Sequence, residues 1–164
     1  MITVLDRFKT LRQRQEMLNL YALVDGFQYE QHTGERISHQ QDINRSLLHG
    51  TEDEPLAHAG PWLIDVTRAG EQVSPLQELE KALPSVSWLI TSIDLEGLSQ
   101  LLQLKLEAEL PDGRKAFLRF YDPRVLGNLC HTMDTGQRAE FFHLVDEWHF
   151  IYNGQRVATG GTDA

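Results

Sequence analysis

The sequence predicts an α/β or α+β domain, with a mixed sheet of about five to seven strands flanked by helices and a C-terminal hairpin. Three observations lead to that expectation. Short apolar runs bounded by turn residues recur at 20–24, 61–66 and 86–91, the form of buried strands. Helical periodicities separate these runs. After Leu104 the pattern changes to strict alternation, as in hairpins with one solvated face. One domain over residues 1–159 is expected from a chain of 164 residues, with 160–164 as a loose tail.

Each element has its own warrant. Leu5, Phe8 and Leu11 recur at helical spacing, so a first helix is expected over about 5–17. Leu20-Tyr-Ala-Leu-Val24 is stopped by Asp25-Gly26. The polar stretch 27–58 is hard to read and is expected to hold a helix ending near Leu47-Leu48, then an acidic loop at Glu52-Asp53-Glu54. Pro61 is tolerable at the first position of a strand. Ser74-Pro75-Leu76-Gln77 reads as a helix start with a serine cap and a returning glutamine. Leu76, Leu79 and Leu83 form its apolar stripe, ended by Pro84. A short helix is expected over about 94–102. Leu104, Leu106, Ala108 and Leu110 then alternate with charged residues, and Pro111-Asp112-Gly113 turns the chain back. Asp134-Thr-Gly-Gln137 opens a further helix, expected to carry Phe141, Phe142, Val145 and Trp148 near one face. Asn153-Gly154 between β-like runs is a strong hairpin signal.

The most specific stretch is Leu118-Arg-Phe-Tyr-Asp-Pro-Arg-Val-Leu126. Ala116, Leu118 and Phe120 are expected on one face of a strand, with Phe117, Arg119 and Tyr121 on the other. Asp122 is a preferred helix cap and Pro123 suits the first helical position. The turn therefore gathers Arg119, Tyr121, Asp122 and Arg124, either as a partner-binding site or as a stabilised corner; an Arg124–Asp122 pair is the favoured reading.

This signature, with Tyr21-Ala-Leu-Val-Asp-Gly26 and Ala59-Gly-Pro-Trp-Leu-Ile64, resembles the type VI secretion effector chaperones of Gram-negative bacteria, the Tap/TEC-type adaptor proteins. The three blocks stand in that family's order, and the likeness runs from about Leu18 to Trp148. The resemblance implies a dedicated, non-catalytic cytoplasmic chaperone. Its partners would be one toxic effector, bound near the effector's N-terminal region, and the spike protein VgrG, onto which the effector is loaded.

Composition bounds the function classes. Fifteen Lys+Arg against 24 Asp+Glu give a net charge of −9, which argues against a nucleic-acid binder. One cysteine excludes an internal disulfide and fits a reducing compartment. No apolar run approaches the ~20 residues that span a bilayer. The first residues lack a basic region followed by an apolar one, so no secretory signal is expected.

Candidate chemistries are weak. Asp25, Asp65 and Asp122 each sit at or near the carboxyl end of an expected strand, and in a parallel arrangement they would converge on a divalent metal for phosphoryl transfer. That enzyme is the alternative to the chaperone, but capping of the next helix or turn is the commoner role of such residues. His143 and Glu147 are four apart and are expected as neighbours on one helix face, but the helix lacks a second ligand histidine. Cys130 beside His131 lacks an orienting partner, and the cysteine is read as a small packed hydrophobe. Trp62, Trp88 and Trp148 are read as core. No metal or cofactor is expected.

Overall fold

The computed structural model describes residues 3–160. Its centre is a six-stranded sheet in the order β2-β3-β1-β4-β7-β8, built from β1 (Asn19–Asp25), β2 (Asn44–Ser46), β3 (Pro61–Asp65), β4 (Val86–Thr91), β7 (Glu147–Tyr152) and β8 (Gln155–Thr159). A separate short hairpin pairs β5 (Glu107–Glu109) with β6 (Lys115–Phe117). The strand count and the C-terminal hairpin agree with expectation, and the domain is single. One refinement concerns direction: every pairing in the large sheet is antiparallel.

Helices cover both faces. Val4 and Phe8 of α1 (Val4–Arg14) and Leu76 and Leu79 of α3 (Val73–Ala82) pack on Leu20, Ala22, Val24, Trp88 and Ile90. On the other side, Leu98 and Leu102 of α4 (Leu95–Lys105) and Leu126 of α5 (Pro123–Thr132) meet Tyr21, Leu23, Leu89 and Trp148. Phe141 and Phe142 of α6 (Thr135–Phe142) join that core. Burial on both faces explains why the central strands read as unbroken apolar runs although they are antiparallel.

Several boundaries differ from expectation. Thr3 caps α1 in a reciprocal box with Asp6, and the helix ends at Arg14 rather than near Met17. Asp25 begins a helix that the sequence reading missed, α2 (Gly26–Thr33). The helix expected to end near Leu47-Leu48 is instead β2 followed by a buried turn, and Glu54–Ala59 is a 3-10 turn. Leu47 and Leu48 are apolar because they pack under α4, not because they close a helix stripe. α3 starts at Val73 after a 3-10 turn, so Ser74 lies inside it and makes no cap.

α4 runs on to Lys105, which leaves Leu104 on the exposed side of a helix rather than in a strand, while Leu106 is buried. β6 is correspondingly short. After Phe117 the chain turns, so Phe120 and Tyr121 are both buried instead of alternating. The Asp122-Pro123 and Asp134 helix starts form as expected, the latter with a capping box to Gln137. α6 ends at Phe142, however, and Trp148 belongs to β7. Glu147 therefore shares no helix face with His143; it lies in β7 two residues from His149. Asn153 and Gly154 both take positive φ, 52° and 77°, the turn that matches strand twist in a two-residue hairpin. Of the expected loose tail 160–164, residues 161–164 lie outside the described residues.

Ion pairs join distant elements. Glu80 on α3 receives Trp88 Nε1 (3.0 Å) and both terminal nitrogens of Arg156 on β8 (2.8 and 3.0 Å). Glu147 receives Arg7 Nη2 (2.6 Å) from α1 and lies 2.9 Å from His149 Nε2.

Candidate functional site

The three sequence blocks singled out above meet at one corner of the sheet. Asp25 at the end of β1 pairs in register with Pro61 at the start of β3. Gly26 N–H donates to Gly60 C=O at 2.8 Å. A Cβ at Gly26 would lie 2.4 Å from His58 C=O and 2.8 Å from Gly60 C=O, so only glycine allows this approach. The turn 119–122 closes over this junction, with Asp122 N–H donating to Arg119 C=O at 3.0 Å. Phe120 anchors the turn by edge contacts to Phe141 (5.6 Å between centroids) and Trp148 (5.9 Å).

Between the blocks lies an open groove of about 660 Å³. Its apolar rim is formed by Phe27 on α2, Leu56 on the 3-10 turn and Phe117 on β6, which are 51, 59 and 44% exposed. Three large apolar side chains from three elements thus face water around one groove, a pattern associated with interaction surfaces. All four sequence-stated site residues line it: Arg119, Tyr121, Asp122 and Arg124. Phe27, Leu48 and Leu56 carry no site signal in the sequence, because they lie in the stretch 27–58, where periodicity is hard to read; Asp53 belongs to the expected acidic loop. Phe117 is expected on the same strand face as Arg119 and Tyr121, and that shared face is the only signal in the sequence that sets it beside them.

The polar groups are arranged in a definite way. Asp25 Oδ1 accepts from Phe27 N–H (3.0 Å) and Gln28 N–H (3.4 Å), capping α2. Burial pushes its carboxyl above the usual range, the two amides oppose that, and the Asp122 charge adds to it. Asp122 accepts from Arg124 N–H (2.9 Å), Nε (3.1 Å) and Nη2 (2.8 Å). The expected Arg124–Asp122 pair is therefore present, and this bond holds Arg124 above its ordinary value. Burial, then the Asp25 charge, pushes the Tyr121 hydroxyl up to about 12, so it stays protonated and able to donate. Arg119 is exposed and acts on Asp25 and Tyr121 only through its charge.

The metal triad of the alternative reading does not assemble. Asp65 pairs in register with Tyr21, and Asp25 with Pro61. Four residues along antiparallel strands separate the two carboxylates by roughly 13 Å. Asp65 instead accepts from Thr67 N–H (3.0 Å) and Arg68 N–H (3.3 Å) in the turn after β3, at the other end of the sheet. Among the described residues no three His, Cys, Asp or Glu side chains cluster to hold a metal. Cys130 is half-buried against the core of α5 and α6, and burial pushes its thiol up. Trp62, Trp88 and Trp148 are all buried.

A model of the family described as Domain of unknown function (DUF4123) matches residues 20–140. The chain belongs to this family. The DUF4123 match includes all of β1 but its first residue, the 3-10 turn Glu54–Ala59, β3 and the 119–124 turn, hence every wall of the groove. No curated protein and no solved structure matches the chain. No helix among the described residues is long and apolar enough to cross a membrane.

Proposed function

We propose that this DUF4123 chain is a non-catalytic adaptor that binds a type VI secretion effector near its N-terminal region and helps load it onto VgrG. The carrying observation is the groove itself. The three blocks that resemble effector chaperones build its walls, and exposed Phe27, Leu56 and Phe117 rim it. Covering such apolar side chains is a strong source of association energy. An unfolded or partly folded effector exposes complementary apolar surface, and an adaptor acting in the cytoplasm shields it. The wide separation of Asp25 and Asp65 favours this reading over metal-dependent phosphoryl transfer.

Co-expression with the effector encoded beside it tests the reading. A complex that survives gel filtration is expected, with soluble effector lost when the adaptor is omitted. Phe117→Asp is expected to keep the melting temperature and lose the complex, since Phe117 is already half in water. An effector equally soluble alone, with no complex, would refute the adaptor role.

A further inference from the structure

The groove's charge is unevenly satisfied, and this narrows what it receives. Asp25 is engaged by two helix amides and Asp122 by three nitrogens of Arg124. Arg119 and the Tyr121 hydroxyl, by contrast, make no side-chain hydrogen bond among the described residues, and both line the groove. Arg119 is close enough to Tyr121 for its charge to oppose the effect of burial on the hydroxyl. Two donors that make no side-chain hydrogen bond among the described residues thus lie beside an apolar rim; of the carboxylates near them, Asp122 is already paired with Arg124, and Asp25 is buried and held by the two amides. A guanidinium fork and a phenolic hydroxyl suit a planar carboxylate. Asp53, beside Leu56, lines the groove as well and disfavours an acidic group next to it, which leaves Arg119 as the place for a carboxylate.

Resting on the adaptor reading, we propose that the groove receives an apolar segment of the effector carrying one aspartate or glutamate, whose carboxylate is held by Arg119 and the Tyr121 hydroxyl. The apolar side chains of that segment cover Phe27, Leu56 and Phe117. Burying them removes water from the ion pair, which strengthens it. The acidic residue sets the register of the segment, and the apolar contacts supply most of the affinity.

Charge reversal on both partners tests this. The full-length chain is co-expressed with the N-terminal segment of the neighbouring effector and binding is measured after purification. Arg119→Glu is expected to weaken binding by at least about tenfold, with an unchanged melting temperature. Arg114→Glu, outside the groove, should not. Each aspartate and glutamate of the effector segment is then changed singly to lysine; one such change should restore binding to Arg119→Glu and impair it with the unaltered chain. Tyr121→Phe should weaken binding less than Arg119→Glu. Normal binding by Arg119→Glu, or failure of every lysine change to restore it, overturns the carboxylate seat and leaves the adaptor role intact. Failure of the unaltered chain to bind overturns both.

Discussion

Asp122 engages three nitrogens of Arg124, yet the two residues do not contribute equally. The Arg124 side chain is 64% exposed, against 15% for Asp122. An ion pair so open to water is screened and contributes little, whereas a helix cap satisfies an amide that would otherwise lack a partner. Arg124→Ala should therefore lower stability by no more than about 0.5 kcal/mol. Asp122→Ala should cost roughly 1–2 kcal/mol, because it removes the cap of α5 and the arginine's partner together. Urea denaturation of both variants distinguishes these roles; equal losses would show that the pair, not the cap, supports the corner. The bidentate geometry was legible in Asp-Pro-Arg, since residues so close in sequence at a helix start meet whatever surrounds them. The exposure that limits its energy was not legible.

At the scale of elements, the groove depends on how closely α2 approaches the 3-10 turn. Gly26 is the contact point. Its missing side chain leaves room for His58 C=O and Gly60 C=O, both backbone atoms with nowhere to relax. Gly26→Ala should cost about 1–3 kcal/mol by overpacking and should splay Phe27 from Leu56. A lower denaturant midpoint with weakened effector binding is expected; a variant unchanged in both would show that the two elements can separate freely. Asp25-Gly26 read in sequence as the stop of a strand, and it is one. The same residues also start α2, because the aspartate that ends the strand turns its oxygen to the amides of Phe27 and Gln28. Local signals located the break and missed what followed, since α2 has few buried apolar side chains to mark its period.

Across the whole molecule, Arg7 and Glu147 join α1 to β7 over 140 positions of sequence. Burial alone raises the Glu147 carboxyl, but hydrogen bonds and charge from Arg7 and His149 outweigh it, so the folded value lies below normal. A depressed carboxyl stabilises the fold at every pH above its unfolded value, about 4.3, and loses that contribution as pH falls through the lower folded value. Glu147→Gln should therefore cost about 1–3 kcal/mol at pH 7. The difference from the unaltered chain should shrink towards zero as unfolding is measured at progressively more acid pH. A constant difference down to pH 3 would place the effect in packing rather than charge.

What the sequence determined by itself is local in origin. The apolar runs of β1, β3 and β4, the helix starts at Asp122 and Asp134 and the Asn153-Gly154 hairpin arise from neighbours within a few residues, so they can be read before any contact is known. The resemblance of three separated blocks also stood in the sequence. Only the tertiary structure decided that those blocks share one corner, that Asp25 and Asp65 lie apart, and that Phe27, Leu56 and Phe117 rim a single groove. Those facts depend on strand direction and pairing order, because one apolar run serves equally well in a parallel or an antiparallel sheet once helices bury both its faces.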